Sequence, residues 1–123
     1  MSCKKDSILI FNTLNTGASS NLIVTLDGNA KLAHSIREGH YILTSIPVNG
    51  KQCWIQEQGS NAIWYDKKNT GWSIGSKKNL GTDKCDLHST NDTTGPEEAT
   101  TWSYWNKKEW MPTSNIFGSS SMY

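Results

Sequence analysis

Apolar residues in this chain come in short runs cut by Gly, Asn, Asp and Pro, a grain that belongs to β-strands and turns rather than to helices. Residues 7–12 carry Ile8, Leu9, Ile10 and Phe11 and predict a strand buried on both faces, or one between two layers. Residues 12–20 are rich in Thr, Asn, Gly and Ser and predict a loop. In residues 21–26, Leu22, Val24 and Leu26 share one face of a second strand. Asp27-Gly28-Asn29 signals a reverse turn, because Gly and Asn accept positive φ. Residues 31–36 are expected to return as a strand, with a single helical turn as the alternative, and Gly39 breaks them. The clearest strand is 39–47, sending Ile42, Thr44 and Ile46 one way and Tyr41 and Leu43 the other. Asn49-Gly50 is a strong hairpin dipeptide, and 51–56, with Trp54, is its partner strand. A turn at Gln58-Gly59-Ser60-Asn61 leads to strands 62–66 and 72–76, which flank a Lys/Asn/Gly turn. Residues 77–99 are polar, with only Leu80, Cys85 and Leu87 as apolar anchors. The last hairpin pairs 101–106 with 109–111, residues 115–117 add a final strand, and 118–123 form a frayed tail.

Together these signals predict an all-β chain, an antiparallel sandwich or small barrel of about seven to nine short strands. It forms one domain over residues 1–123, with no helix longer than two turns. Composition changes the picture in one respect. Leu, Ile, Val and Phe make up only 22 of 123 residues, a share at which disorder becomes a question. Six Trp and four Tyr offset that shortage. The net charge of +1 and the single arginine, Arg37, argue against a dedicated nucleic-acid binder, which needs a basic face. No apolar run approaches the roughly 20 residues of a membrane helix.

The aromatic residues are therefore the feature to interpret. In 102–106 a period of two puts Trp102 and Tyr104 on one face and Trp105 on the other, and a four-residue turn sets Trp105 opposite Trp110. One reading makes the rings core, each indole standing in for missing Leu and Val. The other exposes some of them beside amides and carboxylates, where they stack on a sugar or hold a peptide. On the second reading the ligand-binding candidates are Trp64, Trp72, Trp102, Tyr104 and Trp105, with Asp66 and Asn106 as hydrogen-bonding groups.

The chain carries the series Val48-Asn49-Gly50-Lys51, Cys53-Trp54-Ile55, Ala62-Ile63-Trp64-Tyr65-Asp66, Gly71-Trp72-Ser73-Ile74-Gly75, Gly95-Pro96 and Trp102-Ser103-Tyr104-Trp105, ending at Trp110, within a stretch of about residues 39–110. It resembles a small Trp/Gly-rich β module repeated in multidomain eukaryotic proteins. The resemblance implies a β architecture and a binding or scaffolding role, and brings no activity with it. Such modules often carry Cys before the Pro, where this chain has Gly95.

Other chemistry has weaker signals. Cys85-Asp86-Leu87-His88 has the C-x₂-H spacing of half a zinc site, with His34, His40 and Cys53 as distant candidates and no second paired motif, so no metal or cofactor is expected. No nucleophile elbow occurs. The carboxylates Asp83, Asp86, Asp92, Glu97, Glu98 and Glu109 fall in predicted turns or loops, with Asp66 at a strand end, where solvation explains them. Lysine doublets at 4–5, 67–68, 77–78 and 107–108 either solvate their turns or form a basic rim around the rings. Cys3, Cys53 and Cys85 form an odd set. All three are expected reduced, since the N-terminal residues carry no secretory signal, with a bridge between Cys53 and Cys85 as the alternative. The same absence favours the cytoplasm, unless a mature segment has been given a new start. The leading expectation is a non-catalytic module binding a glycan or protein partner through an aromatic surface, with neither a membrane nor nucleic acid as partner. The alternatives are a structural subunit of a larger assembly and a small hydrolase using His40 or His88.

Overall fold

The structure, a computed structural model, describes residues 21–113 and 116–117. Eight strands form one antiparallel sheet in simple up-and-down order. They are β1 (Leu22–Val24), β2 (Gly39–Leu43), β3 (Trp54–Gln56), β4 (Asn61–Asp66), β5 (Gly71–Ser76), β6 (Leu87–Ser89), β7 (Trp102–Trp105) and β8 (Trp110–Thr113). The sheet curls into a small barrel. Just past β8, Phe117 bridges Val24 and the Thr25 amide donates to the Ile116 carbonyl at 2.7 Å. The chain thereby returns to the opposite edge of the sheet and pairs with it at this point. The all-β reading and its strand number hold. Among the described residues no helix is long and apolar enough to cross a membrane. The strand expected at 7–12 and the tail at 118–123 lie outside the described residues.

Register sets the two faces. Leu43 opposes Trp54, Trp54 opposes Ile63, Ile63 opposes Ile74, Ile74 opposes Leu87 and Leu87 opposes Tyr104. Opposed residues point the same way, so these fill the barrel interior together with Val24, Tyr41, Tyr65, Trp72 and Trp102. Four tryptophans, Trp54, Trp64, Trp72 and Trp102, are almost wholly buried. Inside, Trp72 meets Trp54 edge to face at 5.9 Å and Tyr65 at 5.4 Å, and Trp102 meets Phe117 at 5.6 Å. Each such pair contributes about 0.5–1.5 kcal/mol beyond the area it buries. A buried indole also needs a partner for its N–H. Trp72 Nε1 donates to Thr93 O at 3.0 Å and Trp102 Nε1 to Ala99 O at 3.1 Å. The same rings that fill the core thus fasten the long β6–β7 connection over one end of the barrel.

Two glycines of the G-W-x-I-G segment are required by close approach. A Cβ on Gly71 would stand 2.7 Å from the Ser89 carbonyl oxygen, and one on Gly75 would stand 3.0 Å from Cys85 Cα. Both contacts are with main chain, which cannot swing aside.

Residues 31–36 take the helical alternative rather than the expected strand. They belong to a helix, α1 (Gly28–His34), followed by a 3₁₀ turn at Ser35–Arg37. Ala30, Lys31, Leu32 and Ala33 favour helix, and Ile36 is the only β-branched residue between Ala30 and Arg37. Only Ala30 of α1 is buried. The segment is held to the barrel by polar contacts. The Tyr41 hydroxyl donates to the Arg37 carbonyl at 2.6 Å, and Arg37 itself donates to Asn61 Oδ1 and Asp86 Oδ2. The Asn49-Gly50 turn forms, with φ of 56° and 82° and a bridge between Val48 and Lys51. It does not join β2 to β3 directly, however. It is the tip of an excursion, residues 44–53, folded back over the outside of the sheet.

Candidate functional site

The outer face of β3, β4 and β5 is covered. Trp64 and Ala62 point outward there and are fully buried under Cys53, Val48, Leu80 and Cys85. These come from two excursions, 44–53 and 77–86. Trp64 Nε1 donates to Thr82 O at 2.8 Å. Asn49 Nδ2 donates to Tyr65 O at 2.7 Å and to Gly81 O at 3.1 Å, so one amide holds both excursions to the barrel.

Where the 77–86 excursion turns back toward β6 it leaves an open groove against the β7–β8 hairpin, with a volume of about 400 Å³. Trp105 and Trp110 form one wall. They are register partners on the outer face, with ring centroids 5.6 Å apart and planes tilted by 56°. Trp105 is half-buried, and Trp110 is 44% exposed. The hairpin is fixed at this point from two sides. The Trp105 amide donates to the Asp86 carbonyl at 2.9 Å, and His34 Nε2 donates to the Trp105 carbonyl at 2.6 Å. The facing wall is polar, built from Ser76, Asn79, Asp83 and Lys84, with Cys85 and Asp86 completing it.

The charges of that wall are ordered. Asp83 accepts from Lys68 Nζ at 2.9 Å, and this hydrogen bond holds its carboxyl below the usual carboxylate range. Asp86 is paired with Arg37. Burial pushes the Cys85 thiol up to about 11, the bond to Ser73 opposing and nearby Asp66, Asp86 and Asp83 adding to it. A thiol so shifted is a weak nucleophile near neutrality. The arrangement therefore offers stacking surface, hydrogen-bonding groups and paired charges, the equipment of a binding site.

The residues singled out from sequence are dispersed. Trp64, Trp72 and Trp102 are sealed in the core, and Tyr104 is 6% exposed on the inner face. None presents a ring to solvent as the aromatic-surface reading requires, because the chain has too few aliphatic residues to fill the barrel otherwise. Asp66 is 3% exposed and serves its own hairpin, accepting from Lys68 N at 2.9 Å and from Asn69 Nδ2 at 2.8 Å. Asn106 does the same in the β7–β8 turn, where its Oδ1 accepts from the amides of Lys108 and Glu109, both at 2.8 Å. Both are Asx turns, a role legible from an Asp or Asn at the first position of a polar turn. Trp105 alone of the seven stands in the groove. Its partners there, Asn79, Asp83, Lys84 and Asp86, come from the polar 77–99 stretch, which carries no pattern that would single them out.

His40 is exposed on β2, far along the sheet from His88 on β6. His88 Nδ1 lies 3.5 Å from Ser73 Oγ. Burial lowers the His88 pKa, with Asp66 opposing the shift. Ser73 is wholly buried, so its hydroxyl is closed to a substrate. Cys53 and Cys85 are both free thiols. Among the described residues no three His, Cys, Asp or Glu are grouped to hold a metal ion. Comparison with protein-family models, with curated proteins and with solved structures gives no match to this chain.

Proposed function

We propose that this chain is a non-catalytic binding domain that takes a glycan in the groove between the β7–β8 hairpin and the 77–86 excursion. The observation that carries the reading is the Trp105/Trp110 pair, 5.6 Å apart, facing an amide and two carboxylates across a groove of about 400 Å³. A sugar ring has an apolar C–H face bordered by hydroxyls. The first packs on an indole, and the second needs acceptors and donors such as Asp83, Asp86 and Asn79. The groove volume lies in the range of small-molecule sites. Asp86 is held in place by its ion pair with the largely buried Arg37, which leaves less ordering to be done on binding.

The test is a glycan array followed by titration of the best ligands, read by Trp fluorescence. Binding is expected to be saturable and to weaken at least tenfold, or about 1.4 kcal/mol, in Trp105→Ala and in Trp110→Ala. Near-ultraviolet circular dichroism confirms beforehand that each variant keeps its packed core. An array with no ligand, or binding indifferent to both substitutions in folded protein, overturns the proposal.

A further inference from the structure

Resting on that reading, we infer that the glycan is acidic, bearing uronate or sulfate groups. Charge is unevenly distributed around the groove. The chain as a whole carries a net charge of only +1. Yet five lysines flank this one site. Lys84 is part of its wall, Lys77 and Lys78 lie between the wall residues Ser76 and Asn79, and Lys107 and Lys108 lie between Trp105 and Trp110. The antiparallel register brings the end of β5, the start of β6 and the β7–β8 turn to the same end of the barrel, so the two doublets lie on the chain segments that border the groove. The doublet at Lys67 and Lys68 belongs to the opposite end, and Lys68 reaches back to Asp83.

What turns this cluster into a preference is that the local carboxylates are already satisfied. Asp83 is paired with Lys68 and Asp86 with Arg37. The five lysines are exposed, and among the described residues none of them is in an ion pair. The acid that remains beside them is Glu109, exposed in the β7–β8 turn. A ligand seated on the indoles would meet Lys84 in the groove wall, with four further lysines on the segments that border it against one free carboxylate, a field that attracts anions and repels cations. Neutral hydroxyls can use Asn79 and the paired aspartates. The lysines have no such use until the ligand carries charge.

The experiment is a titration of the full chain with three probes of similar length: an oligogalacturonate, a sulfated oligosaccharide and a neutral oligosaccharide. Each is run at about 50 mM and about 300 mM salt, where screening lengths differ enough to report charge. The expected result is that one or both acidic probes bind at least roughly tenfold tighter than the neutral one at low salt, with the gap shrinking at high salt. The double variant Lys107→Gln/Lys108→Gln should weaken acidic binding and flatten its salt dependence, and Trp105→Ala should weaken every probe that binds. Neutral binding as tight as acidic binding, still dependent on Trp105, overturns this inference and leaves the glycan reading standing. Failure of all three probes, together with an empty array, overturns both. A single-stranded oligonucleotide that outcompetes the acidic glycans for the same rings overturns the inference in favour of a nucleic-acid ligand.

Discussion

Replacing Asn49 with glycine isolates what one side chain does for the architecture of the groove. Asn49 holds φ at 56° at the tip of the 44–53 excursion, and glycine accepts that conformation without strain. The substitution therefore removes mainly the two bonds from Nδ2, to Tyr65 O at 2.7 Å and to Gly81 O at 3.1 Å. Each is worth about 0.5–1.5 kcal/mol net, so their loss costs about 1–3 kcal/mol. The extra freedom of glycine in the unfolded chain adds about 0.4–1 kcal/mol. Asn49→Ala lacks that entropy but adds up to about 1 kcal/mol, because Ala, unlike Asn, has no polar side chain to bond locally in the left-handed region. Urea unfolding followed by Trp fluorescence should therefore show both variants destabilised by about 1–4 kcal/mol, from these sums. Because Gly81 belongs to the excursion that carries the polar wall, folded Asn49→Gly should also bind the glycan more weakly, although Asn49 does not line the groove. A loss below about 1 kcal/mol in Asn49→Gly, no more than glycine entropy supplies, would refute the idea that this amide holds the two excursions down.

Three further outcomes follow from other parts of the molecule. Gly71→Ala should cost about 1–3 kcal/mol in urea unfolding, because its Cβ would stand 2.7 Å from the Ser89 carbonyl oxygen; stability equal to wild type would mean that β6 shifts freely. Burial lowers the His88 pKa from 6.5, so below that value the unfolded chain binds a proton that the folded chain resists, and stability falls as pH drops. Unfolding midpoints taken between about pH 7.5 and pH 5.5 should decline less steeply in His88→Asn than in wild type, and parallel slopes would count against the assignment. The Cys85 thiol, pushed up to about 11, should alkylate far more slowly in native than in denatured protein at neutral pH. Peptide mapping after iodoacetamide treatment reads this residue by residue, and equal labelling in the two states is the contrary result.

Much of the fold is legible because its signals are local. The period of two in Tyr41, Ile42 and Leu43, the Asx turns at Asp66 and Asn106, and the Asn49-Gly50 dipeptide each act over a few residues and can be read in one pass. The pairing of Trp105 with Trp110 is legible for the same reason, since a short turn fixes the register of its own hairpin. By contrast β6 has a single aliphatic residue, Leu87, and two of its neighbours in the sheet are Ser73 and Ser103. It exists because β5 and β7 leave a place for it, and its buried Ser89 is satisfied by accepting from the Trp72 amide at 2.8 Å. No local pattern announces a strand stabilised in that way. The helix at Gly28–His34 stands only as the alternative to a strand for a related reason: with only Ala30 buried, it has no apolar stripe to read.

The sequence by itself determined that this is an all-β chain built of short strands and turns, with tryptophan in place of aliphatic residues. Only the tertiary structure decided which tryptophans are core. An indole is large and apolar with one polar tip, so strand alternation alone leaves its destination open: Trp64 and Trp105 both point outward from the sheet. Trp64 lies under two excursions that return from distant parts of the chain, and its N–H finds the Thr82 carbonyl. Trp105 lies at the margin of one of them and keeps a face on the groove. What separates a core ring from a candidate binding ring here is the path of residues 44–53 and 77–86, and that path depends on long-range contacts such as those of Asn49, which no local pattern encodes.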